Sequence, residues 1–323
     1  MKDPLIIDAH LHCFRNLEAS RLALGAFPSF SDYTGTVDDA LLCIRKTGMA
    51  RAVMVNTIPL AYMRDSALRK LPADLTAEQR RQKEREIEQT LVDRLTRLNA
   101  WSCEVGREHP ELVPTITLDP ILGAEGLRRE VADRVRNGGA RGIKLHPPIG
   151  RYLPYDERMW PAYEAASEMG IPVVFHCGPH PHPDDPKKTV EYSRPAHYEP
   201  LVERFPRLPV VLAHMGVGPG PDWKELIEPY YREVLVLARR GYPNLFLDVS
   251  ECVSDAMGGN GLSDEQIVAL IKAIGPDHVL FGSDYPLYDP AIVMAKIESY
   301  PFTDQDRRRI LGENCVSLFR LRI

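Results

Sequence analysis

Histidine and aspartate side chains stand at or just past the ends of several apolar runs, which are spread over almost the whole chain. His10 and His12 close the first run, His176 and His214 close two central runs, and Asp284 follows the last one. Imidazole nitrogens and carboxylate oxygens are common ligands of divalent metal ions. A fold that gathers these ends at one edge could therefore hold a metal ion between three imidazoles and a carboxylate.

Each of these residues alone also has a purely structural explanation. A histidine at a strand end is often a hydrogen-bonded structural residue, and Asp284 could cap a loop. Side chains two apart on a strand point the same way, so His10 and His12 can face one ion, with Asp8 on the same side one step deeper. We expect the Asp8 carboxylate to orient a ligand histidine. Because all these residues fall at the same end of their runs, a shared site explains them better than independent accidents.

Eight apolar runs, most of them continuous in valine, isoleucine and leucine, are typical of strands buried on both faces. The predicted strands are Leu5–His10, Ala52–Asn56, Leu112–Thr117, Gly142–His146, Pro172–His176, Pro209–His214, Leu245–Val249 and His278–Gly282. Helical patterns separate them, such as Val37–Thr47 before Gly48 and the helix opened by the capping-box sequence Ser263–Gln266. The alternation predicts a (β/α)8 TIM barrel with the site at the C-terminal ends of its strands. An open doubly wound sheet fits less well, because no G-x-G-x-x-G follows a strand.

Two segments exceed this plan within what we interpret as one domain over residues 1–323. Residues 58–108 are predicted to be a helical insertion, with a long charged helix opened by the capping-box sequence Thr76–Gln79. The apolar stripe of this helix favours packing on the barrel over a dimer contact. Residues 178–200 are rich in proline, histidine and charge, and form either a lid over the substrate or a flexible surface loop.

Composition excludes several classes of function. The 323 residues carry a net charge of −5 with both signs interspersed, so no basic face indicates nucleic acid or an anionic membrane as a partner. No apolar stretch reaches the ~20 residues of a membrane helix, and the first residues lack a signal-peptide pattern. The six cysteines include no C-x-x-C pair and do not resemble a disulfide framework. Together these features predict a cytoplasmic location.

Short motifs along the whole chain resemble the amidohydrolase superfamily. They are Asp8–His12, Gly142–Pro147, His176–Gly178, Ala213–Gly216 and Phe281–Pro286. Within the superfamily they are most similar to the amidohydrolase-related branch that contains aminocarboxymuconate semialdehyde decarboxylase-like proteins. The resemblance extends to the closing helix, where the segment from Gly312 to Phe319 matches the usual ending of the branch. It is specific for superfamily and fold, but not for substrate.

The resemblance implies that His10, His12, His176 and Asp284 bind one divalent metal ion, usually zinc. It also implies that His214 is a catalytic group close to the ion without being a main ligand. Neutral imidazole and carboxylate ligate zinc well, and zinc lowers the pKa of a bound water to ~7. The expected cofactor is therefore a single zinc ion.

A second ion would need a further ligand near the end of the fourth strand. Two-metal members of the superfamily have a carboxylated lysine there, which makes Lys144 the candidate bridge. An unmodified ammonium is not a ligand, so a buried lysine paired with a carboxylate is the favoured interpretation. The neighbouring His146 shares the parity of Lys144 and is predicted to donate or accept a hydrogen bond on the substrate side.

Substrate contacts are also predicted beyond the fourth, fifth and eighth strands. Arg151 and Arg194 could grip a substrate carboxylate with two hydrogen bonds each, although either could be an ordinary surface arginine. Tyr285 could touch the substrate or pack beneath the site. The remaining loop histidines are predicted to be solvated: His180, His182 and His197.

The leading functional hypothesis is a metal-dependent hydrolase of a small ester, lactone or amide. Asp284 would move the proton of a metal-activated water, and His214 would stabilise the oxyanion or orient the water. The alternative is a metal-dependent, non-oxidative decarboxylase of a small aromatic or unsaturated carboxylic acid. A barrel with a purely structural metal is disfavoured, because structural zinc sites are normally closed by four protein ligands. A homodimer is the expectation from base rates alone.

Overall fold

Eight parallel strands form the framework of the protein. The computed structural model describes residues 5–25, 29–180, 186–218, 224–252 and 261–323. The strands are β1 (Ile7–Leu11), β2 (Arg51–Met54), β3 (Leu112–Thr117), β4 (Gly142–Leu145), β5 (Val173–Phe175), β6 (Val210–Leu212), β7 (Leu245–Asp248) and β8 (Val279–Leu280). Each strand pairs in parallel with the next, in the order of the sequence.

The sheet curls round until its first strand meets the segment that continues its last strand. The Ala9 amide donates to the Phe281 carbonyl at 2.8 Å, and Leu11 forms a parallel bridge with Tyr285. Helices occupy the connections between successive strands, as right-handed crossovers in a barrel require. The predicted (β/α)8 TIM barrel is therefore confirmed.

The α-helices include the predicted one at Val37–Thr47 and those predicted to open at the Thr76 and Ser263 capping boxes. They are α1 (Leu17–Leu24), α2 (Val37–Thr47), α3 (Leu60–Arg69), α4 (Ala77–Glu108), α5 (Gly123–Arg136), α6 (Pro147–Gly150), α7 (Trp160–Met169), α8 (Glu199–Arg204), α9 (Lys224–Arg239), α10 (Asp264–Ile274), α11 (Pro290–Ser299), α12 (Asp304–Arg308) and α13 (Asn314–Phe319). Gly48 ends α2 in the left-handed conformation at φ 70°, and reciprocal capping boxes at Thr76 and Ser263 open α4 and α10. Local capping chemistry therefore sets these boundaries.

Alternate residues along the strands enter different parts of the core. Val53, Val174 and Val211 belong to one apolar cluster, which fills the barrel, whereas their chain neighbours pack in a larger cluster with the surrounding helices. Lys144 pairs in register with Val174 and is 1% exposed, so its side chain shares the inward face of the barrel. The barrel interior consequently carries an amino group near its C-terminal mouth.

A β-bulge interrupts the first strand. Asp8 pairs with Ala52 and Leu11 pairs with Met54. Between these two pairs β1 advances by three residues and β2 by only two. The extra residue breaks the strict alternation of side chains. Asp8 and His10 therefore do not share a face by simple parity, which corrects the sequence-based expectation.

The segments outside the basic barrel plan are helical in their described parts. Leu91 and Leu95 of α4 pack on Leu60 of α3, so the predicted stripe of the insertion covers its own neighbouring helix. Between residues 178 and 200, residues 181–185, including His182, lie outside the described residues, and 3-10 turns form at Pro186–Ser193 and Pro195–Tyr198. A lid role for this segment stays a prediction, as does the single-domain interpretation. Within the described part of the chain, no helix is both long enough and apolar enough to cross a membrane.

Candidate active site

The turns that follow the C-terminal ends of the strands hold several strained backbone positions. Non-glycine residues with positive φ include Arg151 after β4, His214 after β6, Glu251 after β7 and Asp284 after β8. Left-handed backbone costs roughly 1–2 kcal/mol for such residues, so strain of this kind tends to persist where function requires a particular side-chain direction. Here the strained residues follow strands at the C-terminal end of the barrel, and this indicates that the functional side chains lie at that end.

His10, His12 and Asp284 form a compact cluster at this end, which we call the carboxylate cluster. The Asp284 Oδ1 atom lies 3.1 Å from His12 Nε2 and 3.4 Å from His10 Nε2. Despite these short distances, Oδ1 is buried and forms no hydrogen bond to any described residue. The three side chains therefore converge on a point between them instead of bonding to one another.

These donors suit a divalent metal ion. Ligand atoms of a tetrahedral zinc site lie about 3.3 Å apart, since zinc binds nitrogen and oxygen at about 2.0–2.2 Å. The spacings of Asp284 to both histidines fall close to that value, and the mixed imidazole and carboxylate set leaves open positions for other ligands. The cluster therefore fits a divalent ion with an exchangeable site.

Asp248 at the end of β7 orients the cluster and was missed by the sequence reasoning. Its Oδ2 lies 2.9 Å from His10 Nδ1, while its Oδ1 accepts from the amides of His214 at 3.0 Å and Ser250 at 3.1 Å. Burial opposes ionisation of Asp248, but His10 and the other donors outweigh it and hold the pKa of this carboxyl below its usual range. A carboxylate at a histidine's second nitrogen fixes the ring with its other nitrogen directed at the metal. An aspartate closing an apolar run was the same signal that singled out the other site residues.

Asp8 has a different role from the predicted one, which was to orient the ring of a ligand histidine. Its Oδ1 accepts from the His10 amide at 2.9 Å and the Ser283 amide at 3.0 Å, and its other oxygen accepts from the Ser283 hydroxyl. These bonds join β1 to the segment after β8, and none involves an imidazole ring. Burial raises the pKa of the Asp8 carboxyl to about 7. Asp8 thus holds the backbone that carries His10 and Asp284, because the bulge removes it from the histidine face.

His214 lies between the carboxylate cluster and a second group of imidazoles. Its Nε2 is 3.0 Å from His176 Nδ1, and its Nδ1 is 2.9 Å from the Ser250 hydroxyl and 3.5 Å from a Glu251 carboxylate oxygen. Burial lowers the pKa of His214 to about 3, whereas burial and the Asp284 charge raise the pKa of Glu251 well above its usual value. Atoms of His214, Glu251 and Asp284 all lie within 4.8 Å of one another, so a proton could pass among them.

His176 does not lie in the carboxylate cluster. It groups with His146 and His180, and one nitrogen from each of these three rings lies within 4.8 Å of the others. His180 was predicted to be solvated, but its ring meets that of His146 edge-on at 4.7 Å and is only partly exposed. That expectation was wrong, because the segment directly after β5 brings the His180 ring against those of His146 and His176. We call this second group the imidazole cluster.

Lys144 approaches the carboxylate cluster from inside the barrel. Its Nζ lies 3.3 Å from His10 Nε2, and burial lowers the pKa of its ammonium to about 8. Its bridging of a second ion stays a prediction, since an amino group needs modification before it can bridge.

The four predicted substrate contacts differ in whether their polar groups already bind other groups of the protein. The Arg151 guanidinium pairs with Asp65, and the Arg194 guanidinium pairs with Glu233. The Tyr285 hydroxyl donates to Asp39 Oδ2 at 2.8 Å. Each of the three groups thus has a protein partner, although Arg151 Nε is buried without a hydrogen-bond partner among the described residues. His146 is in ring contact with a site histidine, stacked on His176 with ring centroids 3.9 Å apart.

Comparison with known proteins identifies relatives of this site and fold. The chain is 24% identical over 238 residues to gamma-resorcylate decarboxylase of Polaromonas sp. strain JS666, covering 63% of this chain and 68% of that protein. A solved 5-carboxyvanillate decarboxylase from Sphingomonas paucimobilis shares the fold, with a TM-score of 0.64 and 18% identity over 99% of this chain and 100% of that one.

A second solved structure is the 5-carboxyvanillate decarboxylase from Novosphingobium aromaticivorans, complexed with manganese and 4-hydroxy-3-methoxy-5-nitrobenzoic acid. It matches at a TM-score of 0.65 and 16% identity, over 99% of this chain and 97% of that one. The amidohydrolase family matches this sequence over residues 7–321, which is nearly its whole length. The eight-stranded barrel and the histidine–aspartate cluster agree with that match, and the chain therefore belongs to the amidohydrolase family.

Proposed function

We propose that this protein is a metal-dependent, non-oxidative decarboxylase of a small aromatic carboxylic acid. The observation that carries this proposal is the similarity to gamma-resorcylate decarboxylase, which spans the greater part of both chains. The solved neighbours with the same fold include decarboxylases of aromatic acids as well. The hydrolase hypothesis ranked first on the sequence alone, and these relatives reverse that order.

The carboxylate cluster would hold the metal. His10, His12 and Asp284 supply the ligands, and His176 stays a predicted fourth ligand. A bound divalent ion would supply a Lewis acid that attracts oxygen atoms of the substrate. Zinc suits the imidazoles of this cluster, and manganese, bound in a neighbour of the same fold, is the other candidate.

The side chains of this protein would manage the proton that decarboxylation consumes. Asp284, protonated by way of His214, would deliver that proton to the ring carbon that bears the substrate carboxylate, and the ring supplies the electron pair of the new C–H bond. The bond from that carbon to the carboxylate then breaks, its electron pair restores the aromatic ring, and carbon dioxide leaves. His214 returns a proton from solvent to Asp284, since its ring lies within 4.8 Å of an Asp284 oxygen. One proton is taken from solvent in each turnover.

Substrate recognition is proposed to involve His146 and Arg151. His146 lies at the mouth beside His176. Arg151 follows β4 in a left-handed turn, and its side chain is 26% exposed beside Asp65. Its guanidinium would have to be shared between Asp65 and a substrate carboxylate, which a five-donor group permits. Arg194 and Tyr285 stay predictions as substrate contacts, with their polar groups already bonded to protein.

The reaction can be tested with purified protein. After chelation and dialysis, separate samples are reloaded with zinc or manganese and incubated with 2,6-dihydroxybenzoate, with 5-carboxyvanillate, and with a panel of lactones and amides. We expect carbon dioxide and the decarboxylated phenol from an aromatic acid, lost on chelation and restored by one of the ions. Release of a new carboxylic acid from a lactone or amide, without carbon dioxide from any aromatic acid, would establish hydrolysis instead.

A further inference from the structure

A cavity at the N-terminal end of the barrel is lined by several arginines. Its volume is about 410 Å³, and it lies where β2, β3 and β4 begin, at the end of the barrel opposite the candidate active site. The arginines in its lining are Arg51, Arg107, Arg136, Arg141 and Arg322. None of the described residues that line it is an aspartate or a glutamate. The cavity therefore concentrates positive charge on a protein whose net charge is −5.

The fold collects these arginines from separate segments of the chain. Arg51 is the first residue of β2, Arg107 lies near the end of α4, and Arg141 directly precedes β4. Arg136 is the last residue of α5, and Arg322 follows α13. Because both signs of charge are interspersed along the sequence, the local excess of positive charge arises only where these segments meet.

The guanidinium groups have few partners within the protein. Arg51 donates to the Arg322 carbonyl at 2.5 Å, but no carboxylate among the described residues forms an ion pair with any of the five arginines. Two acidic residues of α5, Glu130 and Asp133, pair instead with Arg134, which does not line the cavity. Each guanidinium stays protonated and offers five N–H donors. The cavity thus combines several charged donors with no anionic acceptor.

The apolar part of the lining strengthens the positive field. Leu112 and Leu321 also line the cavity, and both are buried. A cleft that has charges of one sign and low-dielectric walls focuses the electric field and concentrates counter-ions. Repulsion among the guanidinium groups is unfavourable until an anion offsets it. A bound polyanion would therefore relieve this repulsion and supply the missing acceptors.

We propose that this cavity binds a small anion with two or more phosphate groups. Arginine forms two parallel hydrogen bonds to a phosphate, and it is the usual residue for phosphate recognition. Since the five guanidinium groups come from different elements, they approach a ligand from several directions. The oxygen atoms of a phosphate point to the corners of a tetrahedron and match such donors, whereas the two oxygens of a carboxylate lie in one plane. The site is remote from the barrel mouth, and the inference does not rest on the reaction proposed above.

The test is a calorimetric titration of the full chain with inorganic diphosphate. The protein is metal-free, because diphosphate chelates divalent ions, and the ionic strength is low, because salt screens exposed charges. We expect wild type to bind one diphosphate per chain. Arg107→Gln and Arg141→Gln should each bind it about 10–100-fold more weakly, the factor expected when one guanidinium loses its charge-assisted hydrogen bonds. Both side chains are exposed, so the urea unfolding midpoints of the variants should match that of wild type.

Arg97→Gln is the matched control. It removes the same charge from the same helix as Arg107→Gln, but Arg97 is exposed and does not line the cavity, so affinity should stay at the wild-type value. An equal loss of affinity in Arg97→Gln and Arg107→Gln would show that overall charge attracts the anion, and the assignment would be wrong. It is also wrong if wild type binds no diphosphate, or if both cavity variants bind it as tightly as wild type. Citrate is titrated in parallel, and an affinity for citrate equal to that for diphosphate would overturn the assignment to phosphate.

Discussion

The carboxylate cluster and the imidazole cluster lie side by side at the mouth of the barrel, yet they are built differently. Asp248 binds His10 Nδ1, the ring nitrogen on the side away from Asp284. The same carboxylate also fixes the backbone of the loops after β6 and β7. The imidazole cluster is held mainly by ring contacts, and two of its members, His176 and His180, lie on the connection after β5. Carboxylates therefore anchor the first cluster to several strands, whereas the second depends on the segments after β4 and β5.

The two clusters also differ in how their surroundings affect the ionisation of their side chains. Burial opposes ionisation of Asp284, but His12 and His10 outweigh it and hold the pKa of this carboxyl below its usual range. In the imidazole cluster burial is the largest cause, and it lowers the pKa values of His146 and His176 well below normal. Opposite charges thus favour one another in the first cluster, while burial disfavours the charged form of the imidazoles in the second. A dication should bind more tightly where an anionic ligand offsets its charge.

The largest expected effect comes from Asp284→Asn. The substitution keeps the shape of the side chain but removes the anionic ligand and the proposed proton donor. We expect kcat of decarboxylation to fall by about 10²–10⁴-fold, the range associated with loss of proton transfer by one side chain. The matched control is Asp277→Asn, an exposed aspartate before β8 at the opposite end of the barrel, which should retain wild-type turnover. Equal activity of the two variants would remove Asp284 from the mechanism.

Asp248→Asn should weaken metal binding without displacing a ligand. The amide cannot offer His10 Nδ1 the charge of the carboxylate, and loss of such an outer partner typically costs 10–100-fold in metal affinity. Competition with a chromophoric chelator measures the dissociation constant. Asp277→Asn serves as the control, because Asp277 is exposed at the opposite end of the barrel. An affinity of Asp248→Asn equal to that of the control would show that Asp248 does not support the metal site.

Gly178→Ala should disturb the imidazole cluster more than the carboxylate cluster. Gly178 has φ 145°, and an added Cβ would lie 2.4 Å from the Gly218 Cα, so the turn leading to His180 must shift. We expect about 1–3 kcal/mol of destabilisation in urea unfolding. The control, Gly139→Ala, also has a positive φ but meets no atom within 4 Å, so it should cost about 1 kcal/mol. A cost no greater for Gly178→Ala than for Gly139→Ala would contradict the dependence of the imidazole cluster on this turn.

The strands and helices of the barrel could be predicted from the sequence, because strand burial and helix capping depend on residues that lie close together in the chain. The predicted runs contain most of every observed strand, although most strands are shorter than their runs, as in β8, where only Val279 and Leu280 have strand pairing. The helix at Val37–Thr47 matches its predicted bounds, since glycine caps and amphipathic spacing act within a few residues.

The arrangement within the site was less predictable, because it depends on events that leave no local pattern. One bulge in β1 separates Asp8 from the face of His10. The connection after β5 brings His180 against His146, although its proline- and charge-rich sequence predicted exposure. Asp248, in contrast, was visible as a carboxylate at the end of an apolar run. It was passed over because the seventh run was interpreted only as a strand.

The smallest effect should come from Tyr285→Phe, which tests whether the surroundings of Asp284 are structural. Tyr285 is fully buried, and its hydroxyl donates to Asp39, so we expect a stability loss of about 1 kcal/mol and an unchanged KM. Tyr163→Phe is the matched control, since it removes the buried hydroxyl of a helix α7 residue, which donates to the Pro154 carbonyl at 2.9 Å. Urea unfolding and steady-state kinetics compare the two. A tenfold rise in KM for Tyr285→Phe alone would make Tyr285 a substrate contact, and the carboxylate cluster would then share its supporting residues with the substrate.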